Sequence, residues 1–406
     1  MRHHRHVLSA LLVGDRRFIS TEDGSWFSEG PKGPETGERY LRWFDHVTVA
    51  GRLGNMNGHE PSCLNRAGSH GVEVVTLPNL SGISTRLKNL REVRRRLREL
   101  IAQHDAVIAR MPAQLGLEAV RLALAANKPV AVDLGGCTWD GLRAYGTLKA
   151  RLFAPISLRR VQKAISQTQW VSYVTQDYLQ GRYPAAPGAR IIGCSNVNLP
   201  APDEAALRGR LERFSGHDGP IIFGTIGSLH GKFKGVQHAL EAFGKVRNVL
   251  PSFQYRVLGG GDPTPWMHLA EQHGLSENVV FEGTLPAGEP VLQWLDEVDI
   301  YLQPSLREGV PRALIEAMSR GCPAIASDIA GIPELLPTEV LHSAEDVERL
   351  AALIEASIAP EFMKKYAVRN WERAKDFTGE RLDAIRDEFW GAFAEEARAR
   401  KGLSKK

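Results

Sequence analysis

Two glutamates separated by seven residues, Glu308 and Glu316, are placed where they could bind a polyhydroxylated anion. Glu308 lies in a loop after a predicted strand, and Glu316 lies about one and a half turns inside a predicted helix whose first turn suits Pro311. The helix dipole and the backbone amides near Gly309 and Val310 favour an anion. Because carboxylates accept hydrogen bonds from hydroxyls and the amides between them can hold phosphate, the pattern suits a sugar nucleotide.

A glycine turn and two lysines lie upstream, at the end of another predicted strand. Gly227 and Ser228 follow this strand, and Lys232 and Lys234 precede the next predicted helix. Glycine lets the backbone approach a ligand closely, and a lysine at this place can reach a diphosphate as a point charge. These residues therefore join the two glutamates as candidate ligands.

Short apolar runs that alternate with longer amphipathic stretches would position these residues. The predicted strands cover 6–13, 46–50, 72–76, 105–109, 129–133, 171–175, 189–192, 220–226, 253–258, 278–282, 298–303 and 322–327. The predicted helices include 84–103, 113–126, 235–249, 264–273, 288–296 and 311–320. This alternation predicts an α/β fold of doubly wound parallel sheets. Such sheets bind ligands at the carboxyl ends of their strands.

The chain of 406 residues is long enough for two domains. Two prolines in the segment 199–203 make it the best candidate linker, which predicts an N-terminal domain over 1–199 and a C-terminal domain over 200–379. The net charge of +4 conceals +11 over the first 200 residues and −7 over the remainder. A basic half suits anionic lipid, nucleic acid or a phosphorylated acceptor.

Composition excludes several classes of protein. Hydrophobic residues at 43% and charged residues at 24% exclude a mostly disordered chain. The longest apolar runs are shorter than the roughly 18–20 residues that span a bilayer, and the first of them, 7–13, is predicted to be a buried strand rather than a signal peptide. The four cysteines form no Cys-x-x-Cys pair, so neither zinc nor a disulfide framework is predicted, and a reducing cytoplasm is expected.

An ordered set of motifs extends the glutamate pair over roughly 220–337. The set comprises Lys234-Gly235, Gly259-Gly260-Gly261, Pro304-Ser305, Glu316-Ala317-Met318 and Gly331-Ile332-Pro333-Glu334. It resembles the family 4 glycosyltransferases, which are retaining enzymes of the GT-B fold. Segments of the first half are similar to the subset of that family that builds bacterial surface polysaccharides, namely 21–24, 105–112, 173–175 and 179–184.

The resemblance implies roles for particular residues. Glu308 would bind hydroxyls of the donor sugar, Glu316 would bind the ribose, and Lys234 would neutralise the leaving diphosphate. Glu282 and Thr284 are candidates for contacting the nucleotide base. The other donor-binding residues that the resemblance implies are Gly309, Val310, Gly227, Ser228, Lys232 and, in the N-terminal domain, Gly24.

The same resemblance implies a fold and an activity. The fold would be GT-B, with two Rossmann-like domains facing a central cleft and a final helix near 380–402 that crosses back onto the N-terminal domain. The activity would be retaining transfer of a hexose from a nucleotide sugar, most often a UDP-sugar, to a lipid-linked glycan acceptor in polysaccharide biosynthesis. No cofactor is implied, and the lack of any Asp-x-Asp pair in the sequence favours transfer without a metal.

Two residues depart from the family pattern. Ser228 stands where the family often has an arginine, and Lys232 is the candidate substitute. Gly135 stands where many members have a histidine, and the nearby Trp139 and Asp140 are candidates for lining the acceptor side. A non-catalytic sugar-nucleotide-binding scaffold and a GT-B epimerase therefore stay open as alternatives.

The basic stretch 86–98 is a candidate membrane contact. Apolar residues at helical spacing predict an inward face made of Leu87, Leu90, Val93, Leu97 and Leu100. The arginines that lie largely elsewhere are Arg91, Arg94, Arg95 and Arg98. They form either a solvated basic face or a peripheral contact with anionic lipid on the cytoplasmic side. No aromatic residues are interleaved with this charge, so nucleic acid is not predicted as a partner.

Overall fold

The computed structural model of the protein describes residues 7–21, 24–28, 35–54, 65–144, 147–216 and 219–403. The chain divides into two compact units. The first unit contains the described residues of Met1–Leu142, Thr147–Cys194 and Ala384–Lys406. The second unit contains those of Arg143–Gly146 and Ser195–Asp383. The main division therefore lies just before the predicted linker at 199–203.

One mixed sheet forms the centre of the first unit. In the described part of this unit its nine strands are β1 (Ser9–Ser20), β2 (Trp26–Ser28), β3 (His46–Leu53), β4 (Asn65–Ala67), β5 (Val72–Leu77), β6 (Ala106–Met111), β7 (Val130–Leu134), β8 (Trp170–Tyr173) and β9 (Arg190–Gly193). Seven strands run parallel in the order β5-β3-β1-β6-β7-β8-β9. The short β2 pairs antiparallel with the end of β1, and β4 pairs antiparallel with β2.

Helices cover both faces of this sheet. Leu11 and Val13 of β1 belong to one core cluster, whereas the alternate residues Ala10 and Leu12 belong to another. The helices that precede the second unit are α1 (Glu35–Glu38), α2 (Ile83–Gln103), α3 (Gln114–Ala125), α4 (Thr138–Ala144), α5 (Leu148–Ile165) and α6 (Tyr178–Arg182). The prediction of a doubly wound α/β arrangement is confirmed for this half of the chain.

The C-terminal helix, Gly379–Leu403, supplies part of the first unit's core. The ring of Trp390 lies 5.1 Å from that of Tyr40, and the ring of Phe389 lies 5.3 Å from that of Trp170. The last turns of this helix are also attached to the sheet. Lys401 Nζ donates a hydrogen bond to Oδ2 of Asp105, the residue immediately before β6. Residues at the end of the chain therefore complete a core that begins near its start.

The first strand is longer than the predicted 6–13. The ladder between β1 and β3 shifts its register between Val13 and Arg17 and then continues. The Asp15 carboxylate accepts hydrogen bonds from the backbone N–H groups of the first two residues of α3. Because this charge has partners at a helix N-terminus, the strand can continue and bury Phe18.

One residue near the start of α2, Leu87, does not face inward as predicted. Val93 and Leu97 are fully buried, but Leu87 is 80% exposed. Each three-residue step along a helix falls about 60° short of a full turn, so Leu87 lies about 120° away from Val93 around the axis. The prediction that Leu87 packs inward is therefore wrong.

A second parallel sheet forms the centre of the second unit. Its strands are β10 (Ile221–Ile226), β11 (Phe253–Leu258), β12 (Val279–Gly283), β13 (Ile300–Gln303), β14 (Ala324–Ser327) and β15 (Leu341–His342). Their order is β12-β11-β10-β13-β14-β15, so the direction of winding reverses between β10 and β13. In sheets of this kind the reversal point is where ligands bind.

Helices alternate with these strands as predicted. They are α7 (Glu204–Arg213), α8 (Val236–Val246), α9 (Thr264–Gln272), α10 (Glu289–Glu297), α11 (Arg312–Ser319), α12 (Val347–Ser357) and α13 (Pro360–Ala374), and the C-terminal helix is α14. The doubly wound prediction is thus confirmed here as well. None of the helices that the structure describes has the length and hydropathy of a membrane span.

Two loops pack tightly against each other at the reversal point of the second sheet. Gly235 precedes α8 with a φ of 70°, a left-handed conformation that favours glycine. A Cβ atom on Gly235 would lie 1.8 Å from the carbonyl oxygen of Pro304. The backbone N–H of Leu306 donates to the carbonyl oxygen of Phe233 at 2.8 Å. The loop after β10 and the loop after β13 are therefore fixed relative to each other.

We expect Gly235→Ala to lower the free energy of unfolding by more than about 2 kcal/mol, because alanine adds both left-handed strain and a backbone clash. Gly209→Ala is the matched control, since a Cβ at that position inside α7 would meet no described residue within 4 Å beyond its chain neighbours and its own helix backbone. Alanine there should stabilise the protein by about 0.5–1 kcal/mol. Urea unfolding followed by circular dichroism measures both, and equal stability of the two variants would contradict the close contact.

Candidate functional site

Three donors on a single oxygen hold the Glu308 side chain. Its Oε1 accepts hydrogen bonds from Lys234 Nζ at 2.6 Å, Ser305 Oγ at 2.7 Å and Gln303 Nε2 at 3.0 Å. The side chain is only 10% exposed. No residue that the structure describes donates to Oε2, so this second oxygen can accept a hydrogen bond from a ligand. Gln303 was not identified from the sequence, and Ser305 was named only within a motif.

The loop after β10 brings four predicted donor-binding residues together. A Cβ on Gly227 would lie 2.6 Å from Lys234 Cγ, so glycine leaves room for the lysine stem. Lys234 ends a short 3-10 helix that begins at Lys232 and precedes α8. Lys232 and Ser228 are exposed on the same loop, and Ser228 Oγ accepts a hydrogen bond from the backbone N–H of His230 at 3.3 Å. The loop thus presents two lysines beside a glycine turn.

Glu316 lies in the second turn of α11, with its side chain 21% exposed. Burial raises the pKa of its carboxyl group, and Arg312, whose Nη2 lies 3.8 Å from Oε1, only partly opposes the rise. Burial also raises the pKa of Tyr301, and the carboxylates of Glu308 and Glu316 add to that rise. Both glutamates therefore lie close enough to act on one buried phenol at the end of the sheet.

Gly309 and Val310 lie between the two glutamates, just before α11. Pro311 has an extended backbone and occupies the N-cap position of α11. The helix therefore begins one residue later than the prediction, which put Pro311 in its first turn. The carbonyl oxygen of Gly309 accepts a hydrogen bond from the backbone N–H of Gly331 at 2.9 Å, which ties this loop to the Gly-Ile-Pro-Glu motif. The first N–H groups of α11 have no partner within the helix, and such groups bind anions.

Glu282 and Thr284 lie at the end of β12, two strands away from β10. Glu282 Oε2 accepts a hydrogen bond from Trp294 Nε1 at 2.6 Å, and Arg256 Nε lies 3.7 Å from Oε1. Thr284 is exposed, and its Cγ2 lies 3.1 Å from where a Cβ on Gly260 would be. Glu282 is already paired with protein groups, whereas Thr284 is open to solvent, and a contact of either residue with a base stays a prediction.

The remaining predicted residues belong to the first unit. Gly24 is exposed in the turn between β1 and β2, with a φ of 80°. Asp140 is engaged on both oxygens, because it accepts from Tyr178 Oη at 2.5 Å and from Arg182 Nη1 at 3.0 Å. Trp139 is half-buried and packs against the core. The structure therefore leaves Gly24 more open to a ligand than either acceptor-side candidate.

Three charged residues that the sequence analysis did not assign to a site lie near the carboxyl ends of β1, β6 and β7. Arg110 Nε lies 3.2 Å from Asp133 Oδ2. Burial and the neighbouring Arg110 cation lower the pKa of Arg16 to about 10. The two guanidiniums therefore lie close enough to repel each other where the first sheet reverses its winding. The available signal was a charged residue at the end of an apolar run, which occurs at all three positions.

The second unit's site combines groups suited to hydroxyls with groups suited to phosphate. Glu308 Oε2 and the Glu316 carboxylate can accept hydroxyl hydrogen bonds, while Lys234 and the start of α11 favour negative charge. Among the residues that the structure describes, no group of three or more histidine, cysteine or acidic side chains could hold a metal ion. The arrangement is thus suited to a ligand that carries a diphosphate between two hydroxyl-bearing groups.

Comparison with known proteins agrees with this chemistry. Residues 220–359 match the family model described as glycosyl transferases group 1. The chain is 27% identical over 355 residues to Protein CapJ of Staphylococcus aureus, with 86% of each chain covered. It is 34% identical over 142 residues to the amylovoran biosynthesis glycosyltransferase AmsK of Erwinia amylovora, which covers 31% of this chain and 35% of AmsK.

The fold is similar to that of Anabaena Alr3699/HepE, which was solved in complex with UDP-glucose. The TM-score is 0.62 at 17% identity, and the alignment covers 97% of this chain and 100% of that one. The predicted resemblance to family 4 glycosyltransferases, and to their bacterial surface-polysaccharide subset, is confirmed. The chain therefore carries a glycosyl transferases group 1 domain at residues 220–359 and has the GT-B fold.

Proposed function

We propose that the protein transfers a hexose from a nucleotide sugar to a glycan in polysaccharide biosynthesis, with retention of anomeric configuration and without a metal ion. The observation that carries the proposal is the Lys234–Glu308 pair at the reversal point of the second sheet, with Glu316 in the adjoining helix. The name of AmsK supports a polysaccharide product, and the UDP-glucose complex of HepE supports a UDP-sugar donor.

The proposed donor lies along the loop before α11. Glu308 Oε2 accepts a hydrogen bond from a sugar hydroxyl, and the Glu316 carboxylate accepts hydrogen bonds from the ribose. The diphosphate lies between them, against the backbone amides of Gly309 and Val310. Because Lys234 Nζ is 2.6 Å from Glu308 Oε1, its ammonium group lies at the boundary between sugar and diphosphate.

The proposed transfer takes place on one face of the sugar. The bond between the anomeric carbon and the diphosphate oxygen breaks, and the acceptor oxygen forms its bond from the same side. The leaving diphosphate takes the acceptor's proton, so no side chain has to act as a base, which suits a chain with Gly135 where many relatives have a histidine. Negative charge grows on the diphosphate during this step, and Lys234 stabilises it.

The proposed acceptor is a lipid-linked glycan that carries phosphate. The first unit brings the guanidiniums of Arg16 and Arg110 close enough to repel each other near its own reversal point, and Arg110 pairs with Asp133. Guanidinium groups bind phosphate oxygens with two parallel hydrogen bonds. Trp139 and Asp140 stay candidates for contacting the sugar of this acceptor.

A peripheral membrane contact is proposed for α5. Leu148, Leu152 and Ile156 recur every four residues on this helix and are 72%, 66% and 54% exposed. The helix also carries five cations and no carboxylate. Exposed apolar groups flanked by cations suit an anionic lipid surface. The predicted α2 stretch is a weaker candidate, because Arg94 pairs with Glu118 and Arg95 pairs with two glutamates of its own helix.

The proposed location is the cytoplasmic face of that membrane. Cys137, Cys194 and Cys322 are buried and form no disulfide bond among the residues that the structure describes, which suits a reducing compartment. The alternative function is a protein that binds a sugar nucleotide without turning it over. Ser228 favours this alternative, because the exposed serine adds no positive charge where the family often has an arginine.

Calorimetric titration with UDP, GDP and ADP tests the donor site. We expect one nucleotide to bind and Glu316→Ala to weaken its affinity at least tenfold, since a charge-assisted hydrogen-bond acceptor for ribose is lost. Glu271→Ala, at an exposed position of α9, should leave the affinity unchanged. Because burial raises the pKa of Glu316, binding should weaken on acidification at a higher pH than an ordinary glutamate would cause. If no nucleotide binds, the proposed donor site is wrong.

Lys234→Ala should lower turnover of the matching sugar nucleotide by about a hundredfold or more, the effect of removing one donor that stabilises the transition state. The matched control is Lys245→Ala, because that lysine lies on α8 and pairs with Glu348 at the surface. Release of the free nucleotide in the presence of membrane lipid extract measures both. Near-normal turnover of the Lys234 variant would contradict its role, and a wild type that binds donor without turnover would favour the alternative.

Sedimentation with vesicles tests the membrane contact. The wild type should pellet with phosphatidylglycerol vesicles at low salt and stay in solution with phosphatidylcholine vesicles. The double variant Leu152→Glu/Ile156→Glu should partition at least about tenfold less, because two apolar side chains no longer insert. Val249→Glu replaces an apolar residue that is 62% exposed in the second unit and should pellet as the wild type does. Equal pelleting of all three proteins would exclude α5 as the contact.

A further inference from the structure

A cavity of about 270 Å³ lies between α3 and α5 in the first unit. Its lining is made of Leu117, Arg121, Arg160, Lys163, Ala164 and Gln167. Three cations and one amide therefore face it, and no carboxylate belongs to the lining. Cations without a carboxylate among them suit a phosphate group.

Two of the lining arginines belong to a charge cluster around Glu118, whose side chain is buried. Arg94 Nε donates to Glu118 Oε2 at 2.8 Å, and Arg121 Nη1 donates to Oε1 at 3.3 Å. The nearest nitrogens of Arg86 and Arg160 lie 3.7 and 3.6 Å from Oε1. Four guanidiniums thus share one buried carboxylate, and the cluster carries a net charge of +3.

Arg160 is incompletely satisfied within this cluster. Its Nη2 is buried and makes no hydrogen bond with any residue that the structure describes, and its Nη1 shares Gln114 Oε1 with Arg86 at 3.4 and 3.3 Å. Burial, followed by the repulsion of the neighbouring Arg86, lowers the pKa of Arg160. A second anion beside Arg160 would relieve the repulsion and supply an acceptor for charge-assisted hydrogen bonds.

We propose that the α3–α5 cavity binds a phosphate group, with Arg121, Arg160 and Lys163 as its cationic ligands and Gln167 as an amide donor. This site lies in the first unit and does not depend on the proposed sugar transfer, which is carried by Lys234, Glu308 and Glu316 in the second unit. The phosphate can come from solution or from a phospholipid headgroup. Ile156, Arg160 and Lys163 follow one another at four and three residues, so the exposed apolar residue and the two cations share one helix face.

Titration with inorganic phosphate at constant ionic strength tests the cavity. The wild type should show saturable binding, and Arg121→Gln/Lys163→Gln should weaken it at least about tenfold. Lys88→Gln/Arg91→Gln removes the same charge from exposed positions of α2 and should leave the affinity unchanged. Thermal unfolding and the nucleotide titration, both expected to be unchanged, show that the cavity variant is folded and that its donor site is intact.

Vesicles of equal charge distinguish the two sources of phosphate. Phosphatidylcholine vesicles are prepared with either phosphatidylglycerol or oleate as the anionic component. If the ligand is a headgroup, the cavity variant loses pelleting with phosphatidylglycerol but keeps pelleting with oleate. If the ligand is free phosphate, the cavity variant loses phosphate binding and pellets as the wild type does. The proposal is overturned if the cavity variant and the α2 control are indistinguishable in both the phosphate and the phosphatidylglycerol measurements.

Discussion

The contact between Gly235 and the carbonyl oxygen of Pro304 is the constraint from which the geometry of the donor site follows. It brings the loop after β10 against the loop after β13, which lets Lys234 reach Glu308 across 74 residues of sequence. Buried donors from the end of β13 then share the same carboxylate oxygen and leave the second oxygen for a ligand. A side chain larger than hydrogen at Gly235 would separate the two loops, and the ion pair would be lost with them.

The distribution of charge within each unit matters more than its net charge. The second half of the sequence is acidic overall, yet the site at its sheet reversal presents Lys234 and a helix N-terminus to an anion. The first half is basic overall, and four of its guanidiniums gather around the single carboxylate of Glu118. The local electrostatic field and the direction of hydrogen bonds at a few positions therefore decide what each unit can bind. Net charge governs the longer-range attraction of charged ligands.

The strands β10 to β14 could be predicted to within two residues, because buried parallel strands are continuous apolar runs bounded by turn residues. The same runs placed Glu308 and Lys234 in the loops that follow two of these strands. Their direct contact could not be predicted, since it depends on how two loops pack. The extension of β1 past its charged residues and the three-residue strand β4 were missed for a related reason, because each depends on a partner that is distant in the chain. The exposed Leu87 was missed for a different reason, since its angle around the helix axis places it away from Val93.

The aromatic core of the first unit has a consequence for how the protein is made. Phe389, Trp390 and Phe393 of α14 fill the sheet face formed by strands near the start of the chain. On the ribosome, the first 194 residues emerge without these side chains, so that face stays open to water while the whole second unit is synthesised. Domains usually fold in the order of synthesis. Here the unit that begins the chain can finish folding only after the unit that follows it has been translated.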